Sequence, residues 1–488
     1  MAKKILIIHT REICYYSGAF FLHRMEEALQ RAGAEVDFVE LSDEAADWNL
    51  LGDLLDRAKA SPDRLYDAVL DINSKLPYLT MEGENGREVR FLNELGIPFY
   101  NWIVDHPLYH HPGIVLPVWD QHVLTIDRSH AAYVEKYYAK GGQVPQKGST
   151  SVDKLPATYF PVPGQVAQCQ IPFAERSMDL LFPETYLPRE KYMAEIENVA
   201  MILDAMMEPG HTPTFQDLRD QLYQTYVPEE MALEDALTTV LEKQGWSAAD
   251  FAGLTFPQLM NYLYPLDRRV RYEKRLAIAE AAAMACQEVG WTMTIRGEGW
   301  EETSLSDMAN VNLLPGVDIS LIYETIADAR VLLDVNPLFH CGMHDRVPSA
   351  MANQTLVLTN MSQEAEPELN EDCGVFYYRD ACDVGDCIRK LANELRDREF
   401  VAGAEGVEGD LSQTEAQGRK NSLQGNSLQG NSLQDVLDRE ASIFRENYSW
   451  DVAAGRFLRM LDSEREGTDG APGWHGIGIC RHGAPFDE

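Results

Sequence analysis

The chain opens on KILIIHT (residues 4–10), a β-branched run with no polar alternation. Apolar residues at helical spacing follow, Phe20, Phe21, Met25 and Leu29, ending near Gly33. A run that is apolar at every position suits a strand buried on both faces, and a 3.6-residue period suits the helix that covers it. The same change of period recurs along the first third of the chain. Residues 34–41 (AEVDFVEL), 66–73 (YDAVLDIN), 98–104 (PFYNWIV), 122–128 (HVLTIDR) and 157–163 (ATYFPVP) read as strands, with helices over 43–60, 86–95 and 129–139. Such alternation builds a parallel sheet with helices on both faces, and about six strands complete one Rossmann-like layer.

A Pro-, Gly- and Gln-containing stretch without periodicity (163–175) then marks a boundary, and MDLLF (178–182) starts a second layer. A mainly helical insertion over about 208–265 interrupts it. The rhythm resumes with a basic helix over 268–290, strand 291–297, helix 319–329, strand 330–336, helix 347–354 and strand 355–359. The fold class expected is therefore α/β, with two Rossmann-like parallel-sheet domains facing a cleft. They span residues 1–165 and 176–400, and the helical insertion lies in the second. The pentad GNSLQ recurs in 421–434 beside an acidic, Gly-rich stretch, so 403–434 reads as a solvated linker that cannot build a core. A helix over 435–463 and a loose Gly-rich tail, 464–488, complete the chain.

Composition narrows the function classes. With 42 Lys and Arg against 78 Asp and Glu, the formal charge of the 488 residues is −36. That sign opposes binding to nucleic acid or anionic membranes. The eight cysteines are scattered without a C-x-x-C pair, which implies neither a disulfide framework nor a zinc ribbon. No apolar run is long enough for a transmembrane segment, and the apolar stretch Ile5–Ile8 after Lys3-Lys4 is broken at once by His9, Arg11 and Glu12, far short of a signal-peptide core; with the scattered cysteines, a cytoplasmic location is expected.

Two segments carry candidate chemistry. In 330–362 a buried strand ends at Asn336, a loop carries Gly342, His344, Asp345 and Arg346, and a short helix starts near Pro348. A helix start with a neighbouring guanidinium suits a diphosphate; the bland alternative is that Arg346 pairs with a carboxylate and His344 packs. Asp105 and His106 follow strand 98–104 at its C-terminal end, where ligands bind in open α/β sheets, and either can act as a base. Turn chemistry is the competing account. His106, His110 and His111 are not expected to hold a metal, because Pro107 and Pro112 forbid the helix that would align them. Gly297, in Arg296-Gly297-Glu298-Gly299, lets backbone approach a nucleotide or simply makes a turn. The cluster Arg268, Arg269, Arg271, Lys274 and Arg275 reads first as a solvated helix face, with a contact to the diphosphate as the alternative.

Phe339, Gly342, Arg346, Ala350 or Ala352, and Thr359-Asn360 match the frame of a known segment, and DISLIYETIADARVLLDVNP (318–337) and NWIVDHPLYH (101–110) extend the match. These parts, about half of the chain, resemble the CgeB-type, spore-maturation-like glycosyltransferases. The resemblance implies the GT-B fold, with a nucleotide-sugar donor on the C-terminal domain and an acceptor protein or surface glycan on the N-terminal one. It also implies no cofactor and no metal. Taken together, the residue reading and the resemblance give the expected donor-binding set Gly297, Asn336, Gly342, His344, Asp345, Arg346, Ser349 and Asn353, with Asp105 or His106 as catalytic base. The chain departs from the family at Ser349, where a ribose-binding Glu is usual; Asn353, one turn later on the same face, can share that role. Two alternatives stay open: a catalytically inactive sugar-nucleotide-binding or scaffold protein, and a nucleotide-sugar epimerase.

Overall fold

The computed structural model describes residues 2–465 apart from 11–12, 42–44, 62–63, 84–85, 141–153, 228–229, 337–338, 340, 364 and 406–431. Most of the loop 140–154, most of the pentad linker and nearly all of the tail therefore lie outside the described residues.

The strands are β1 (Lys4–His9), β2 (Glu35–Glu40), β3 (Ala68–Ile72), β4 (Thr80–Glu82), β5 (Glu88–Arg90), β6 (Phe99–Ile103), β7 (Gln121–Thr125) and β8 (Ala157–Tyr159) in the first half. The second half contributes β9 (Met178–Phe182), β10 (Met293–Arg296), β11 (Val311–Leu314), β12 (Ala329–Asp334), β13 (Leu356–Thr359) and β14 (Val375–Tyr377). They form two six-stranded parallel sheets, ordered β2-β1-β3-β6-β7-β8 and β11-β10-β9-β12-β13-β14. Counted within its own sheet, the second order is the 3-2-1-4-5-6 of a Rossmann layer. In the first sheet the order reverses between β1 and β3, and in the second between β9 and β12. The architecture is the GT-B-like one expected, two Rossmann-like sheets facing each other.

The C-terminal strand ends of both sheets meet. Asp127, just past β7, makes an antiparallel bridge with Gly342, past β12. Tyr15, past β1, reaches Thr185, past β9, through a 2.8 Å contact between hydroxyls. Two long crossings hold this arrangement. Helices Arg189–Met206, Phe215–Thr225, Leu233–Gln244 and Phe256–Tyr262 are inserted between strands of the second sheet. Yet Leu203, Phe215, Leu222, Leu237 and Leu259 share a core with Leu108, Ile114, Tyr133 and Tyr138 of the first half. The insertion expected in the second domain thus covers the first.

The chain end crosses back as well. Helix Leu433–Ile443 packs on the second sheet through Val436 and Leu437. A π-helical turn, Phe444–Tyr448, breaks the single helix expected over 435–463, and helix Trp450–Arg465 then lies on the first sheet. Its Trp450, Ala454, Phe457 and Leu461 join the core of Ile5, Ile7, Leu22 and Tyr100.

Other departures are local. Residues 86–90 are not helical: Gly86, at φ +68°, turns β4 back on β5, so only Phe91–Leu95 of that segment is a helix. Pro161 and Pro163 lack the N–H groups that would extend β8 past Tyr159. β11 and β14 are short strands at the two edges of the second sheet, too brief to show a period.

Phe457 is fully buried and meets Tyr100 and Phe160 edge-on. Phe457→Ala is therefore expected to cost about 3–5 kcal/mol of stability. Urea unfolding followed by tryptophan fluorescence measures it; a loss below about 1 kcal/mol would show that this helix only rests on the first domain.

Candidate functional site

At the point where the second sheet reverses, β9 and β12 lie side by side and their C-terminal ends diverge into separate loops. Glu184 follows β9, Asp334 ends β12, and Arg346 opens the helix Arg346–Ala352. Open α/β sheets bind ligands at such a crevice. All three side chains are buried, and Arg346 pairs with Glu184 and lies 3.6 Å from Asp334. It also donates to the Pro183 carbonyl at 2.9 Å. A fourth group arrives from helix Tyr264–Val289: Arg275 Nη2 lies 2.7 Å from Glu184, and Nη1 donates to the Thr185 carbonyl at 2.6 Å. Burial raises Asp334, and the Arg346 and His344 charges hold it back only in part.

The backbone beneath is tightly constrained. Trp300 Nε1 donates to the Glu184 carbonyl at 2.5 Å. A Cβ at Gly297 would overlap that same carbonyl, and one at Gly299 would overlap the Tyr186 carbonyl. Gly297 therefore lets the chain after β10 approach the chain after β9, which is a packing requirement of this site's floor.

The remaining donor candidates separate into two groups. His344 and Asp345 stay at the site: Nδ1 of His344 is 2.6 Å from Asp345 and 3.0 Å from Arg346 Nε. In its donor form that nitrogen serves the carboxylate, and in its acceptor form the guanidinium. Burial would raise Asp345, but His344 and Arg346 outweigh it and hold the carboxyl below its usual range. The others are turned to the domain junction. Asn336 donates to the carbonyls of Phe339 and Gly342, folding its own loop. A Cβ at Gly342 would overlap the Ile126 carbonyl. Ser349 Oγ donates to the Asp345 carbonyl and accepts from Gln165 N, while Asn353 binds Gln165, Ala167 and Gln170 of the connecting segment. Both are fully buried. The connector occupies the face of the helix on which a ribose contact was expected.

Facing this floor, the first sheet presents Thr10 and Asp71 at its own reversal between β1 and β3. Thr10 Oγ1 donates to Asp71 at 2.5 Å, and burial pushes this carboxyl up to about 7. Asn73 joins Asp105 at 3.1 Å, and His110 Nε2 lies 3.6 Å from the same carboxylate. Asp105 is half-exposed. Its surroundings would raise it by desolvation, but His110, Arg271 and Asn73 hold it down to about 2. His106 differs: it is buried, its Nδ1 accepts from Leu108 N, and its Nε2 lies 3.4 Å from Glu234 of the inserted helices. His111 turns to Tyr138 at 3.0 Å, so the three histidines of this segment serve three different partners. Among the described residues no group of three or more His, Cys, Asp or Glu side chains is placed to hold a metal ion.

The basic helix is not a solvated face. Asp267, Arg271 and Arg275 recur every four residues on its buried side, and Arg271 donates to Asp267 and to Tyr109, each at 2.6 Å. This stripe runs from the Asp105 side of the cleft to Arg346. Glu184 and Asp334 are the site members that the sequence did not single out, while Arg275 stood there only as one of a basic cluster read first as a solvated face; the i, i+4, i+8 spacing of Asp267, Arg271 and Arg275 was the available signal. Tyr15 and Tyr16 in the first βα loop both adopt left-handed backbone, at φ 56° and 62°. Cys341 is disulfide-bonded, which departs from the expectation drawn from scattered cysteines. Among the described residues no helix is long and apolar enough to cross a membrane.

No family model and no curated sequence matches the chain. Several solved structures align with it over most of its length at low identity. A sucrose-phosphate synthase from Thermosynechococcus elongatus aligns over 96% of this chain and 100% of its own, at 10% identity and a TM-score of 0.43. An alpha-glucosyltransferase in complex with UDP-glucose and DNA containing an abasic site aligns over 95% and 100%, at 10% identity and 0.45. A protein from Listeria monocytogenes assigned as a UDP-N-acetylglucosamine 2-epimerase aligns over 96% and 98%, at 10% and 0.39.

Asp71 gives a pH signature. Its ordinary value is 3.8 and its folded value about 7, so the folded protein holds a proton that the unfolded chain releases. Neutral Asp71 therefore contributes stability in full below 3.8, and that contribution is lost as pH rises through about 7. Asp71→Asn is expected to flatten this limb. Urea unfolding at about pH 5 and about pH 8 tests it; equal losses in both proteins would assign the limb elsewhere.

Proposed function

We infer that the chain is a glycosyltransferase that moves a sugar from a nucleoside-diphosphate donor to an acceptor protein or glycan. The observation that supports this most directly is the position of Arg346 at the reversal point of the second sheet, facing the strand ends of the first, where Asp105 sits. In this reading the guanidinium takes the diphosphate of the donor and stabilises it as leaving group, since its planar donors match phosphate oxygens. If transfer is inverting, the acceptor oxygen attacks the anomeric carbon, the bond from that carbon to phosphate breaks, and the acceptor proton passes to the Asp105 carboxylate. Asp105 suits this better than His106, whose two ring nitrogens are engaged in a buried setting. A carboxylate held near 2 is a weak base toward a resting hydroxyl, so the transfer belongs late, when the new C–O bond has made that proton acidic. The CgeB-type resemblance supports the same division of donor and acceptor between the domains, with no bound metal required.

One observation favours a second reading, a sugar-nucleotide-binding protein without catalysis. Ser349 and Asn353 are spent on the connector, which leaves the ribose without its expected partner on that helix.

A thermal-shift panel of nucleoside diphosphates tests donor binding, since a ligand at a hundred times its Kd stabilises by about 2.7 kcal/mol. Arg346→Ala is expected to weaken nucleoside-diphosphate binding far more than nucleoside binding; calorimetry giving equal losses would make Arg346 structural. Asp105→Asn is expected to cut turnover by about 10²–10⁴-fold with donor affinity retained. Product NMR is read first, because a retaining enzyme does not need that base. Donor binding with no transfer to any acceptor would favour the second reading.

A further inference from the structure

Three charged side chains meet at the floor of the second sheet from three separate elements. Glu184 comes from the loop after β9, Arg275 from helix Tyr264–Val289 and Arg346 from helix Arg346–Ala352. Each is more than nine-tenths buried. Glu184 lies between the two guanidiniums, Oε2 2.7 Å from Arg275 and Oε1 against Arg346. Two buried cations that converge require an anion between them, because each raises the cost of the other in a medium of low dielectric. Burial lowers Arg275; Glu184 opposes that, while Arg271 and Arg346 add to it.

We propose that Arg275 and Arg346 form a two-guanidinium clamp for a phosphoryl group, and that Glu184 is the protein's own anion in that clamp, displaced when the phosphoryl group binds. The proposal deepens the donor reading above and rests on it. The main chain of Glu184 is fixed by Trp300 on one side and by the close approach of Gly297 on the other, so what moves is the side chain. Arg275 also keeps its bond to the Thr185 carbonyl without Glu184, which leaves its fork aimed at the same place. The neighbouring carboxylates differ in kind. Asp334 is tied to Thr359 and is 3.6 Å from Arg346, so it orients that guanidinium without standing between the two cations. Asp345 is committed to His344 at 2.6 Å. Glu184 alone of these three carboxylates pairs with both arginines. A phosphoryl group fits the same geometry with more oxygens and more charge than a carboxylate, and each guanidinium can offer it two donors. Resting and bound states then differ by an exchange of anions at constant cation geometry.

The test uses calorimetry of inorganic pyrophosphate on the full chain. Glu184→Gln removes the competing charge at nearly constant shape, so pyrophosphate is expected to bind about tenfold or more tightly than to the unsubstituted protein. Arg275→Gln is expected to weaken it by a similar factor. Unchanged or weaker binding by Glu184→Gln, with circular dichroism showing it folded, overturns the displacement and makes Glu184 a positioning group for the arginines. Should Glu184→Gln not fold, Arg275→Lys decides: it keeps the charge beside Glu184 but loses the fork. Pyrophosphate binding must then fall several-fold, and an unchanged affinity overturns the clamp. Absence of nucleoside-diphosphate and pyrophosphate binding in every form, Glu184→Gln included, rejects the donor reading itself. Normal nucleoside-diphosphate binding with no response to these substitutions rejects the clamp alone.

Discussion

A buried carboxylate between two buried guanidiniums constrains more of this molecule than any other contact. Each of the three groups would be costly alone, so their elements must arrive together: the loop after β9, the long helix before β10 and the short helix after β12. The glycines at 297 and 299 follow from this, since the chain after β10 can underlie that loop only without side chains. Trp300 follows too, closing the carbonyl of Glu184 from beneath.

The junction between the two sheets is built on a similar need for partners. Glu366, in the second half, is buried and accepts from Tyr159 and Arg128 of the first half and from Tyr448 at the π-helical turn. Asp127 likewise receives Cys341 N across the junction. These bonds sit beside the apolar crossings, in which the inserted helices and the final helix both cover the first sheet. The arrangement joins the halves through backbone, charge and core together, and the strand ends that face one another are held at short range.

The physical setting of Asp105 differs from that of Glu184. Asp105 is half-exposed and is held by Asn73, His110 and the charge of Arg271, whereas Glu184 is buried between two guanidiniums. One carboxylate is therefore closed off between paired charges, while the other keeps part of its surface open to solvent.

The change of hydrophobic period by itself determined the alternation of strands and helices and the two layers, because short, β-branched, fully apolar runs bounded by turn residues suit strands buried on both faces while the stretches between them carry a helical period. It also located the loop at 342–346, since a strand end, an irregular stretch and a helix start are local features. The edge strands β11 and β14 were too short to carry a period, and the hairpin at 80–90 was masked by residues that suit a helix equally well. Only the tertiary structure decided which charges meet. Arg275 and Glu184 are 91 positions apart and Arg346 lies a further 71 along the chain; local spacing puts Arg275 on one helix face with Asp267 and Arg271 but does not say which distant carboxylate that face meets. The same holds for Ser349 and Asn353, whose hydrogen-bonding groups were legible but whose partner, the connector at 165–170, was not. Burial is a property of the assembled sheets, and a polar group's role depends on what the rest of the fold places within reach of it.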